Sequence, residues 1–163
     1  MMTQSLTVSA ASTWSEFKYG YIFLNSRLLG ENGIADDSVS LGRPWHPNYY
    51  VHANARVAYI NTYLGAHIST QGWDDMSGFK ASDADFNVYG SYGPGSKTSS
   101  TRPLLTSADA ASYTMENLFS QNYASARDYT ADLTELYKDI NIAPTFTLTP
   151  DIPAETTESA ISS

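Results

Sequence analysis

Apolar residues in the first two thirds of the chain come in short runs broken by Gly, Pro or Asp, with Tyr, Ser, Asn and Thr between them. That texture predicts a β-rich body with long loops, because β-branched and aromatic runs of four to eight residues fit strands and the breakers fit turns. The clearest predicted strands are Tyr19 to Leu24, Arg56 to Leu64 and Asp85 to Tyr89. Between the first two lies Gly30 to Asn54, punctuated by Gly30, Gly33, Gly42, Pro44 and Pro47 and read as a loop. A structureless stretch of that length in a compact domain usually marks a functional loop or a wrong assignment.

From Thr106 the period changes. Ser107 fits an N-cap with Asp109 in the first turn, and Ala108, Ala111, Met115, Leu118 and Phe119 fall at helical spacing. A second stripe, Ala126, Tyr129, Leu133, Leu136, Tyr137 and Ile140, follows a Ser125-x-x-Asp128 capping pattern and stops at Pro144. Helices this short must lay their apolar faces on another element. From Thr145 onward Ser, Thr, Pro and acids prevail without a single base, which predicts a disordered tail.

Composition narrows the classes. The 163 residues, 42% of them hydrophobic, suit one domain with a core. No cysteine is present, which excludes disulfides, thiol catalysis and cysteine-bound metal. The net charge of -8 is concentrated in the last third, and no stretch clusters Lys and Arg as a nucleic-acid partner would require. No run approaches 18 apolar residues, and Met1 to Ser12 has neither a basic flank nor an apolar block. Neither a membrane span nor a signal peptide is expected in this chain.

Candidate chemistry is sparse. The pairs Asp36/Asp37, Asp74/Asp75 and Asp83/Asp85 could supply acid-base carboxylates, but turn and capping roles account for them more simply. His46, His52 and His67 lack metal-ligand spacing, so no metal site is expected. Gly93-Pro94-Gly95 is a turn and no phosphate cradle, since no Lys-Ser/Thr follows it. No Gly-x-Ser-x-Gly elbow occurs. The segment Leu41-Gly42-Arg43-Pro44-Trp45 differs in kind. It offers a guanidinium fork suited to a carboxylate and an indole suited to a sugar ring, with proline stiffening the backbone between them. The same residues could equally pack a loop onto a core, and both readings stay open on physics alone.

Leu41 to Trp45 (LGRPW), Arg56 to Leu64 (RVAYINTYL), His67-Ile68, Gly72 to Met76 (GWDDM), Tyr89 to Gly95 (YGSYGPG) and Leu105 to Phe119 stand in an order and spacing that resembles the C-terminal part of pectin methylesterases, in their bacterial form. Tyr19 to Arg27 is similar to the strand preceding the LGRPW loop. The resemblance implies an all-β fold, a right-handed single-stranded parallel β-helix of which this chain holds only the C-terminal coils, with long loops and one or two C-terminal α-helices. It divides the chain into a pectinesterase-like part at 1–120, an amphipathic helical extension at 121–144 and an acidic tail at 145–163. It also implies hydrolysis of the methyl esters of polygalacturonate, releasing methanol without metal or organic cofactor, by a protein outside the cell or in its envelope. In that family one aspartate attacks the ester, a second serves as acid and then base, glutamines stabilise the oxyanion, and the LGRPW arginine holds the nucleophile. Matched residue by residue, Arg43 takes the arginine role, Trp45 the ring-contacting role, and Met76 lines a substrate subsite.

The departure from the pattern matters as much. The family's catalytic aspartates lie upstream of LGRPW, in Gln-Asp and Asp-Phe-x-x-Gly motifs, and neither motif occurs in this chain. Asp85-Phe86-Asn87 is a decoy, standing where the family has a late strand. The expectation is therefore an inactive portion of a pectinesterase, which would need the missing N-terminal portion as its partner. The alternative is a non-catalytic carbohydrate-binding or structural module. Coils missing from a parallel stack would leave unpaired backbone groups, so low stability is expected of the isolated chain.

Overall fold

The computed structural model describes residues 6–47, 53–114 and 117–118. Eleven short strands appear among them: β1 (Leu6–Thr7), β2 (Ala10–Ala11), β3 (Thr13–Trp14), β4 (Tyr21–Leu24), β5 (Arg27–Leu28), β6 (Val39–Ser40), β7 (Arg43–Pro44), β8 (Ala53–Asn54), β9 (Arg56–Ile60), β10 (Tyr63–Leu64) and β11 (Asp85–Tyr89). One short helix, α1 (Ser107–Ala111), and a 3₁₀ turn at Ala81–Asp83 complete the elements.

Strand pairing shows how the chain travels. β1 pairs in parallel with β6, and Val39 bridges on to Ile68. β2 pairs in parallel with β7, and Gly42 bridges to Trp73. The widest ladder runs β4, β9, β11, all parallel, and Val88 extends it to Leu104. β5 pairs in parallel with β10, which reaches Tyr92 through Tyr63. Each of these ladders is thus crossed by successive passes of the chain in sequence order; among the described residues, β3 with β8 and the Met76–Phe79 bridge are antiparallel.

Asp85–Tyr89 forms as the sequence predicts, but the run Arg56 to Leu64 divides into β9 and β10. The break is Asn61, whose φ of 49° turns the chain out of the strand direction. Asn25, φ 49°, stands at the matching place after β4, and Gly90, φ 58°, after β11. All three positions need the left-handed region, which Asn and Gly enter at least cost. The predicted loop at Gly30 to Asn54 is corrected: it contains β6, β7 and β8, two-residue strands too short to show alternation. Tyr19 and Gly20 fall outside β4, which begins at Tyr21.

Side chains from every pass meet in one core of Ala11, Val39, Leu41, Ala55, Val57, Tyr59, Leu64, Ile68, Trp73, Phe86 and Val88. Trp73 stacks on Phe86 at 4.3 Å, and Phe23 on Tyr59 at 4.4 Å. The Tyr59 hydroxyl donates to Leu41 O at 2.7 Å, and burial pushes its pKa up. Complete burial of an aromatic ring with its hydroxyl satisfied is among the larger stabilising contributions a small domain can make.

The cap of α1 is Thr106 instead of the predicted Ser107: its Oγ1 accepts from the Asp109 N–H at 3.1 Å and donates to Asp109 Oδ2. The segment after the helix meets the strands where Tyr19 Oη donates to Ser112 O and the Tyr19 and Tyr113 rings cross edge to face. Tyr113 is pushed up to about 12, first by burial and then by Asp85. The predicted helical extension at 121–144 and the tail at 145–163 lie outside the described residues.

Candidate functional site

β7 carries the Arg43-Pro44 pair because its backbone completes the ladder on β2: the Arg43 N–H donates to Ser9 O at 3.1 Å and the Trp45 N–H to Ala11 O at 3.0 Å. Gly42 is required there, since a Cβ would stand 2.4 Å from Ser9 Oγ and 3.1 Å from the Trp73 ring. The loop is held by its ladder and by Trp73 beneath it, so its side chains start from fixed positions.

Arg43 is half-buried, and its Nε is shielded from solvent without a hydrogen-bond partner among the described residues. No acid of the described residues forms an ion pair with it. Trp45 is 47% exposed, and its neighbour Trp14 to a similar degree, whereas Trp73 is almost completely buried. A groove of about 400 Å³ runs from Pro44, Trp45 and His46 to Met76 and Phe79. On its other side Trp45 borders a recess of about 240 Å³ shared with Ser12, Trp14 and Ala53. Trp45 and Met76, predicted separately, therefore line one groove. Arg43 is not among the described lining residues of either cavity, though its neighbour Pro44 forms the groove's wall.

The far wall is a tight hairpin. Met76 and Phe79 exchange backbone hydrogen bonds at 3.0 and 2.9 Å around Ser77 and Gly78, both at positive φ (52° and 88°). Two left-handed central residues define the type I′ turn that fits strand twist. The hairpin brings Phe79 against His46, ring on ring at 3.8 Å, closing the groove's end. Asp75 braces it, accepting from Lys80 Nζ at 2.7 Å and the Ala81 N–H at 2.9 Å; these bonds hold its pKa low and that of Lys80 high.

Sequence reasoning missed Phe79 and Trp14, and it set His46 aside as a metal ligand without placing it in a groove. The Ser77-Gly78 dipeptide was an available signal for the hairpin, whereas nothing local announces that Trp14 stands beside Trp45. The acid pairs serve structure: Asp37, at φ 58°, accepts from the Thr70 N–H and hydroxyl, and Asp85 pairs with Arg56 at 3.3 Å. Among the described residues no group of three His, Asp or Glu could hold a metal ion. His67 is buried and His52 lies outside the described residues.

No protein-family model matches the chain. Pectinesterase A of Dickeya chrysanthemi is 37% identical over 129 residues, 68% of this chain and 35% of that protein. The chain belongs to the pectinesterase family. Among solved structures, pectin methylesterase from Yersinia enterocolitica superimposes with a TM-score of 0.65 at 33% identity, over 72% of this chain and 41% of that one. A pectin methylesterase in complex with a hexasaccharide gives 0.66 at 33% identity, over 72% and 40%. This pectinesterase-family chain spans about a third of the length of the curated relative it matches.

Proposed function

We propose that this chain takes part in the removal of methyl esters from pectin, supplying the arginine and the aromatic wall of a site whose two reacting carboxylates come from elsewhere. The observation that carries the reading is the LGRPW loop: a half-buried guanidinium with an unpartnered Nε, two residues from an exposed indole on a groove. The parallel ladders are read as the last coils of a right-handed parallel β-helix, the fold implied by the family. The hexasaccharide held by a structural relative supports a polygalacturonate chain as the occupant of the groove.

In this scheme the Arg43 guanidinium holds the nucleophilic carboxylate in place and in its ionised form, since a neighbouring cation favours the charged state. Trp45 offers its face to a sugar ring and Met76 fills in along the same groove. Attack on the C6 carbonyl expels methanol, and water then releases the acid. Neither a Gln-Asp nor an Asp-Phe-x-x-Gly motif occurs in the 163 residues, so the chain alone lacks nucleophile and acid. Its place of action is outside the cell or in the cell envelope, where the polymer is found.

Methanol release from highly methylated pectin tests the scheme. The chain alone should release none above a protein-free blank, and turnover that Arg43→Ala abolishes would overturn the assignment of the carboxylates to other sequence. Retention on immobilised pectin, lost in Trp45→Ala, is the expected binding result. No retention at all would refute the pectin reading, and retention that persists after adding the upstream part of a bacterial pectinesterase without restoring methanol release would favour a non-catalytic binding module.

A further inference from the structure

Beyond the groove, a polar cavity of about 320 Å³ opens at the end of the last pass, bordered by Gly90, Lys97, Thr98, Ser99, Arg102 and Leu104 among others. It shares no described lining residue with the Trp45 groove. Its volume falls within the range of small-ligand pockets, roughly 300–1,000 Å³.

Two deeply buried polar side chains, Arg102 in the lining and Asn61 behind Gly90, keep polar atoms without partners. Arg102 is 4% exposed, and its guanidinium donates to Gly95 O at 2.8 Å, to Lys97 O at 3.2 Å and to Ser69 O, while Nε has no acceptor. All these acceptors are carbonyls, so a buried cation has no carboxylate among its hydrogen bonds. Asn61, 3% exposed, leaves both amide atoms unpaired, and it abuts Gly90, where a Cβ would stand 2.5 Å from Oδ1. Buried polar groups without partners are costly and rare in folded proteins. Lys97 adds a second, half-exposed cation, which reaches Asp37 at only 3.9 Å. No described acid lines the cavity, Thr98 and Ser99 contribute hydroxyls, and Leu104, 69% exposed, offers an apolar wall.

We propose that this cavity is a second binding site, separate from the groove, for a small hydroxylated carboxylate of the sugar-acid class, with Lys97 and Arg102 facing the carboxylate and Leu104 the ring. The choice of galacturonate as its probe rests on the pectin reading; the preference for a carboxylate does not.

Titration calorimetry on the full chain, with galacturonate, its methyl ester and inorganic phosphate, decides it. Galacturonate should bind about tenfold more tightly than the uncharged ester and more tightly than phosphate, and Lys97→Gln should weaken it about tenfold. Lys97 is solvent-facing, so circular dichroism of that variant should match the parent. Equal binding of acid and ester, no binding of galacturonate, or indifference to Lys97→Gln would overturn the proposal. Phosphate binding more tightly than galacturonate would overturn the sugar-acid class. Galacturonate binding lost in Trp45→Ala and kept in Lys97→Gln would place it in the groove, refuting this site and supporting the pectin reading. Loss in Lys97→Gln alongside absent pectin retention would uphold this site and refute that reading.

Discussion

Gly90→Ala tests how tightly the turn after β11 is built. Gly90 sits at φ +58°, where an added Cβ costs about 1 kcal/mol, and that Cβ would lie 2.5 Å from Asn61 Oδ1. Asn61 is 3% exposed and cannot swing aside into solvent, so the overlap adds about 1–3 kcal/mol of overpacking. Gly33→Ala is the matched control: φ is +88°, and nothing stands within 4 Å of its Cβ, so only the conformational cost remains. Urea unfolding followed by tryptophan fluorescence should put the Gly90→Ala midpoint below that of Gly33→Ala by about 1 M, given slopes of about 1–3 kcal/mol/M. Adding Asn61→Gly to Gly90→Ala should restore at least about 1 kcal/mol, a coupling expected only between residues in contact. If Gly90→Ala is no worse than Gly33→Ala, or the double variant is simply additive, the account of this corner is wrong.

Phe86→Ala removes the ring stacked on Trp73 and should destabilise by about 3–5 kcal/mol, read as a midpoint shift with quenching-sensitive Trp73 fluorescence; a shift within about 1 kcal/mol would contradict the shared core. Tyr59→Phe should cost only about 1 kcal/mol, because Leu41 O keeps its bond from Ser9 Oγ at 2.8 Å; thermal unfolding reads it, and a loss like that of Phe86→Ala would contradict this. Asp37 has its pKa lowered below 3.8 by its bonds from Thr70, so its contribution is present above that value and lost as pH falls through the lower folded pKa. Stability curves of Asp37→Asn and the parent should therefore differ at neutral pH and converge in acid; a constant gap would show that the carboxylate's charge is irrelevant.

The strand at Asp85–Tyr89 and the LGRPW loop as a candidate were readable because each is contiguous: an alternating run in one case, a five-residue cluster of unlike chemistry in the other. What escaped was whatever depends on one pass lying on another. Val39–Ser40 and Arg43–Pro44 become strands only because Leu6–Thr7 and Ala10–Ala11 stand beside them. A repeat was nevertheless present. Leu24-Asn25-Ser26, Ile60-Asn61-Thr62 and Tyr89-Gly90-Ser91 each place an apolar residue, a residue able to adopt positive φ and a hydroxyl at one corner. The hydroxyls tie the corner within and between passes: Ser26 and Thr62 donate to the carbonyls two residues back, Leu24 and Ile60, while Thr62 and Ser91 donate to the preceding pass, at Phe23 and Tyr59. The meeting of Trp14 with Trp45, and of His46 with Phe79, follows from the same pass-on-pass registration and has no local signature.

That corner works as a metronome for the chain. It falls directly after the long strand in all three passes, whereas the path from Pro44 to β9 is longer than the path from Ala11 to β4 beside it. Length can therefore vary on the groove side while the beat is kept on the other, so segments such as 74–80 can be exchanged between relatives to reshape what the groove accepts without re-encoding how the chain winds.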